Sequence, residues 1–240
     1  MAITRYLVLS TQYLALSAAV ISTSIGCSFP VAPESEPSLA AQASSVRAGS
    51  VDRIQVETTP LTDDDLSVLA GLETLRELLL DNPKSNFTAA GLRHIERLPK
   101  LEHLRIRGTG IDDEALKQVT ELTTLRILNL PQGSFSDAAL VQLKRLPQLD
   151  LFRFGSRNVT NAGMKILREL PTLSQLHLID VPITDDGLRE LAKMDQLKSL
   201  YIDGGNISDA AWDEFFAARP KLHIHVNQQH HDRDPHGHPH

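Results

Sequence analysis

The chain has 240 residues, 41% of them apolar and 22% charged, with a formal net charge of −6, long enough to bury a sizeable core in one or two domains. Its mild acidity carries no concentrated basic stripe, so no nucleic-acid partner is expected. A single cysteine, Cys27, excludes an intrachain disulfide and a cysteine-based zinc site, and 5% aromatic content points to an aliphatic interior.

Residues 1–26 begin with Arg5 as their only cation, continue as an apolar run from Tyr6 to Ile25 broken by Thr11 and Gln12, and end at Gly26. That is the layout of a secretory signal peptide. The stretch Ser24–Ser28, SIGCS, resembles a bacterial lipoprotein box, in which small residues precede a cysteine that is diacylated and becomes the mature N-terminus. Ser24 stands where that box usually has leucine. The resemblance implies lipidation of Cys27 and an exported, membrane-anchored protein of the cell envelope. Ordinary cleaved export and an uncleaved anchor, for which a run of about 20 residues is just long enough, are the alternatives. Both also place the rest of the chain outside the cytoplasm. Residues 27–50 hold three prolines, six serines and no hydrophobic period, which predicts a flexible tether.

From residue 51 a rhythm sets in. The pattern L-x-x-L-x-L recurs at Leu75–Leu78–Leu80, Leu101–Leu104–Ile106, Leu125–Leu128–Leu130, Leu149–Phe152–Phe154, Leu173–Leu176–Leu178 and Leu197–Leu200–Ile202, with partial copies at Ile54–Val56 and Ile224–Val226. The spacing is 24 residues except after the first full copy, where the turn-rich NPKSN segment absorbs two more. Alternation within each copy predicts a short strand with one buried face. A turn follows, then an apolar residue and a cap column of Thr62, Thr88, Asp112, Ser136, Thr160, Thr184 and Ser208, side chains that accept from free N–H groups at a helix start. Asp63, Asp113, Asp137, Asp185 and Asp209 come next, where negative charge suits the helix dipole. Three residues after the cap stands a small residue, Gly91, Ala115, Ala139, Gly163, Gly187 or Ala211, which predicts close approach of neighbouring coils. Apolar residues at three-residue steps behind it share one helix face, and Pro99, Pro147 and Pro171 end helices.

A fixed period in the twenties with this pattern resembles the leucine-rich-repeat family over residues 51–227. The resemblance implies an α/β solenoid with parallel strands on the concave face and short helices on the convex face. No unit can bury its apolar face alone, so stacking is obligatory. The asparagine column usual in that family is replaced by Pro83, Thr109, Gly133, Arg157, Val181 and Gly205, so these turns need other partners. WDEFFAARPKLHIHV looks like a terminal cap, whereas no N-terminal cap is visible.

No nucleophile elbow, HExxH, phosphate loop or paired-carboxylate motif occurs, so an enzyme is not expected. The outward residues of successive strands form the row Gln55, Leu79, Arg105, Asn129, Arg153, His177, Tyr201 and His225, flanked by His103, Arg107, Asp203 and by Ile127, Leu151 and Ile179. This mixture resembles a protein-binding patch. His103, Arg105, Arg107, Asn129, Arg153, His177 and Tyr201 are the candidate contact residues for a protein or glycan ligand, taken by a monomer. No cofactor is expected in the repeats. The tail after residue 227 reads as disordered, yet His230, His231, His236, His238 and His240 are imidazoles that can weakly chelate zinc, nickel or copper. The reading is a non-enzymatic, envelope-tethered binding module. A metal-handling surface protein acting through the tail, and a purely architectural envelope component, are the alternatives.

Overall fold

Each L-x-x-L-x-L stretch becomes the strand that its alternation predicts. The computed structural model describes residues 36–230, in which β1 (Arg53–Val56), β2 (Glu77–Leu80), β3 (His103–Ile106), β4 (Ile127–Leu130), β5 (Leu151–Phe154), β6 (Gln175–Ile179), β7 (Ser199–Asp203), β8 (His223–Val226) and β9 (Gln229–His230) form one sheet in chain order. β1 to β8 pair in parallel and β9 returns antiparallel to β8. Glu77 pairs with His103, an offset of 26 residues, whereas Ile127 pairs with Leu151, an offset of 24. The insertion is therefore absorbed before the strand, leaving the register intact. Its loop is anchored by buried Asn82, whose Nδ2 donates to the Glu57 carbonyl at 3.0 Å.

Between strands the chain runs through α2 (Ala89–Leu92), α3 (Asp113–Val119), α4 (Asn161–Arg168), α5 (Asp185–Ala192) and α6 (Asp209–Ala218). Two units, Asp64–Leu69 and Asp137–Arg145, wind as 3₁₀ helix instead. Leu75, Leu101, Leu125, Leu149, Leu173 and Leu197 lie buried between the layers, together with both inward residues of each parallel strand from β2 to β7. Burial of each such side chain contributes about 1.5–3 kcal/mol.

The residue after the cap does more than complement a dipole. Asp113 grips the cap of the next unit with both oxygens, from Ser136 N at 2.6 Å and Ser136 Oγ at 2.7 Å. Asp63 holds Thr88, Asp137 holds Thr160 and Asp185 holds Ser208 in the same bidentate way. Asn161 does so at Thr184, accepting from its N–H at 3.0 Å and donating to its Oγ1 at 2.8 Å. The backbone and hydroxyl donors of Ser208 hold the Asp185 carboxyl below the usual carboxylate range. The ladder skips one rung, where Ala89 has no polar side chain, the Asp112 carboxylate has no hydrogen to donate and Asp112 N–H turns to the Gly110 carbonyl at 3.0 Å. Asp112 instead caps its own helix through Ala115 N at 2.9 Å. The two departures fall at the same junction and cancel.

The turns that lack an asparagine column are satisfied largely by neighbouring backbone. Thr109 N donates to the Ser85 carbonyl at 2.9 Å, Ser134 N to Ile111 at 2.8 Å and Asn206 N to Ile183 at 3.0 Å. Buried Ser85 and Ser156 bridge between units, Ser85 accepting from Leu61 N at 3.0 Å and Ser156 donating to the Phe135 carbonyl at 2.6 Å. Gly133 is glycine for a steric reason: a Cβ there would lie 2.4 Å from the Phe135 ring.

Two boundaries differ from the sequence expectation. The tether predicted over residues 27–50 is not irregular throughout: α1 (Leu39–Arg47) forms within it and packs on β1 and the first 3₁₀ helix at the open end of the stack. Leu39, Ala43 and Val46 bury one face of it, and Ser38 caps it by accepting from Ala41 N at 3.2 Å. Glu36 ties its entry to the solenoid, accepting from Thr58 N at 2.9 Å and Thr58 Oγ1 at 2.5 Å. An N-terminal cap thus exists, buried in a Ser- and Pro-rich stretch. At the other end, residues 228–230 are not free tail but the turn and return strand of a β8–β9 hairpin.

Candidate functional site

The register sets the predicted outward row in line: Gln55, Leu79, Arg105, Asn129, Arg153, His177, Tyr201 and His225 are successive partners across the sheet. Parallel strands separate them by about 4.8 Å. Their environments differ. Leu79 and Asn129 are buried, and Ile127, Leu151 and Ile179, expected to be exposed, are half-buried. Arg107 is exposed.

A hydrogen-bond chain crosses four strands of this face. Arg153 reaches Asn129 Oδ1 with NH1 at 3.4 Å and donates from Nε to His177 Nδ1 at 3.1 Å. His177 Nδ1 is therefore the acceptor nitrogen, so the ring proton sits on Nε2 and is donated to Asp203 Oδ2 at 2.9 Å. Burial lowers the pKa of His177. The hydrogen bond to Asp203 opposes this and the Arg153 charge adds to it. Burial likewise lowers the pKa of Arg153. Beyond His177, Tyr201 lies 5.3 Å away, centroid to centroid, and stacks on His225 at 4.5 Å with an interplanar angle of 27°.

At the other end Arg105 is not the exposed side chain expected from its column. Its side chain is 30% accessible and its NH2 sits 3.0 Å from Asp81 Oδ1. Neither Asp81 Oδ1 nor Arg105 Nε has a well-aligned hydrogen bond, so the contact is an ion pair with unfilled capacity. Burial raises the pKa of Asp81 against the pull of Arg105, Arg107 and Arg153. His103, counted among the contact residues, is pushed down to about 4 by burial, with Arg53 and Arg105 adding to it. It is neutral near pH 7 and contributes no charge.

Asp81 is the site residue that the sequence reading missed. It stands two residues after Leu79 and so shares its face, a parity the sequence offered. All seven candidate contact residues lie on this face. The chain joins Asn129, Arg153, His177 and Asp203, while Arg105 pairs separately with Asp81. Cys27, His231, His236, His238 and His240 lie outside the described residues. Among the described residues no group of three or more His, Cys, Asp or Glu could hold a metal ion, and no helix is long and apolar enough to cross a membrane.

Two open depressions flank the sheet face at the rim, of about 350 and 410 Å³. Arg157 and Asp180 line both and are the only ionisable residues in either lining. Neither lining sets a nucleophile beside a histidine or lysine base.

No protein-family model matches the sequence, and no curated protein matches it. Among solved structures the chain is similar to internalin C2 of Listeria monocytogenes, at 20% identity over 76% of this chain and 72% of that one, with a TM-score of 0.54. It is also similar to the internalin inlF of Listeria monocytogenes, at 16% identity and a TM-score of 0.54, covering 79% of this chain and 50% of that one. The chain thus spans half the length of the inlF structure. These likenesses concern fold, and they agree with the repeating columns and the single parallel sheet: the chain folds as a leucine-rich-repeat solenoid.

Proposed function

We propose that this chain is a non-enzymatic binding module, tethered to the cell envelope through Cys27, whose concave face takes a protein or glycan partner. The observation that carries the reading is the Asn129–Arg153–His177–Asp203 chain. It holds a half-buried guanidinium and a fixed imidazole tautomer in place on four adjacent strands. A row fixed in this way before binding avoids much of the ordering cost that weakens flexible binders. Arg and Tyr side chains also carry a disproportionate share of binding energy at protein interfaces.

The test begins with a pull-down from envelope extract using the full chain. Arg153→Ala and Tyr201→Ala are each expected to weaken binding of the captured partner by about 1 kcal/mol or more. Lys165→Ala, on exposed convex surface, should leave it unchanged. Urea midpoints separate lost contact from lost fold. If Lys165→Ala matters and the concave changes do not, the partner docks elsewhere. Digestion of the extract with protease or glycosidase before capture distinguishes the two partner classes.

Tethering has its own readout. Intact-mass measurement of the membrane fraction should find acyl chains on Cys27, and Cys27→Ala should remove them and release the protein from membranes, since two or more chains anchor stably where one is marginal. An unacylated mature N-terminus in the unmutated protein would refute the lipid anchor.

A further inference from the structure

We propose that the concave face recognises an acidic segment of a protein partner, with Arg105, Arg107 and Arg153 holding its carboxylates and Ile127 and Leu151 meeting its apolar side chains. The proposal rests on the reading of this face as a binding surface and names the chemistry of what it binds.

Charges on the face are sorted by depth. The side chains of Asp81 and Asp203 are only 13% and 16% accessible, whereas that of Arg105 is 30% accessible and Arg107 is exposed. Both carboxylates are committed, Asp81 to Arg105 and Asp203 to His177. The guanidiniums are not used up. Arg153 spends Nε and NH1 on His177 and Asn129, and Arg105 Nε is buried without a hydrogen-bond partner. Among the described residues Arg107 makes no side-chain hydrogen bond or ion pair. Burial raises the pKa of Asp81 while all three arginines pull it down, so three cations share one recessed carboxylate. Exposed Glu57 lies past Asp81 at the end of β1 and accepts from Gln55 Nε2. On the other side, the positions beside Arg107 are Pro131 and Gly155, each one residue past the paired Leu130 and Phe154. Neither carries a charge to neutralise it. In a chain of formal net charge −6, the middle of this face thus presents positive charge to water.

Spacing and surroundings favour a polypeptide. Arg105 and Arg107 are about 6.6 Å apart along β3, and Arg105 and Arg153 about 9.6 Å apart across two strand gaps. Those distances lie within about one Debye length at 0.1 M salt, so the three act together on one ligand, and each planar fork matches a carboxylate. The flanking row is uncharged: neutral His103, then half-buried Ile127, Leu151 and Gln175, successive partners from β3 to β6. Two aliphatic side chains beside the cations suit a peptide that carries acidic and apolar residues together. The ring on which a sugar would stack is already taken, since Tyr201 lies 5.3 Å from His177 on one side and stacks on His225 at 4.5 Å on the other.

NMR of the arginine Nε–Hε signals of the full chain tests this, with an acetylated octapeptide of alternating glutamate and leucine as the probe. Its carboxylates repeat at about 6.8 Å when extended. At about 0.01 M NaCl it should shift the Arg105, Arg107 and Arg153 signals saturably, and the shifts should vanish at about 0.5 M. The same peptide with glutamine for glutamate should bind at least tenfold more weakly. Arg107→Glu should also weaken the acidic peptide at least tenfold, because like charges then face each other, with an unchanged urea midpoint showing that the fold is kept. No shift at these arginines, equal binding of the glutamine peptide, or indifference to Arg107→Glu would overturn the proposal. So would tighter binding of polygalacturonate, which carries its carboxylates on a glycan. A partner captured from envelope extract that is lost with Arg153→Ala, yet survives Arg107→Glu and about 0.5 M NaCl, would leave the binding face in place and refute its acidic preference.

Discussion

Phe152→Ala is expected to lower the unfolding free energy by about 3–5 kcal/mol, because it removes a fully buried ring from the middle of a stack that cannot close around the hole. Phe152 and Phe154 take the two strand positions that other units fill with leucine, isoleucine or valine. Their rings stack at 4.5 Å and 18°, and Phe135 lies 5.6 Å from Phe154. All three are completely buried. In a solenoid each unit touches only its neighbours, so a lesion at β5 separates the units before it from those after it. The urea transition should therefore move to lower concentration and also broaden. An unchanged midpoint would mean that the aromatic cluster is not a packing requirement.

Gly187→Leu is expected to cost about 1–3 kcal/mol or more through overpacking. A Cβ at this position would already stand 2.6 Å from Asn161 Oδ1 and 3.0 Å from Ile183 Cβ. Asn161 is the rung that holds Thr184, so it cannot move aside without leaving that N–H and hydroxyl unpaired. The comparison is Lys165→Ala on the exposed convex surface, which should stay within about 0.5 kcal/mol of the parent. Arg105 would be a poor comparison, since its ion pair with half-buried Asp81 makes any change there structural. A urea midpoint for Gly187→Leu equal to the parent's would remove the steric explanation of the small-residue column.

The ladder and the cap show where legibility stopped. Asp113 and Ser136 are 23 residues apart, and nothing local signals that they bond. Once the period is known, however, their columns recur at every junction except the one where Ala89 and Asp112 stand together. The α1 helix did leave a local signal, Leu39, Ala43 and Val46 at helical spacing behind Ser38 and Pro37. Three prolines and six serines in residues 28–50 outweighed it.

The sequence by itself determined the strands, their parallel order, the inward columns and the outward row from Gln55 to His225. A period of 24 and a side-chain alternation of two leave no freedom in which residues share a face. Only the tertiary structure decided what those outward residues are. Contact between units sank Leu79 and Asn129, made His103 neutral, fixed the His177 tautomer between Arg153 and Asp203, and paired Arg105 with Asp81. The pairings depend on neighbours 24 to 26 residues away, and the neutral His103 on how much water the sheet leaves around it; the repeat pattern encodes the address of a side chain but not its solvation.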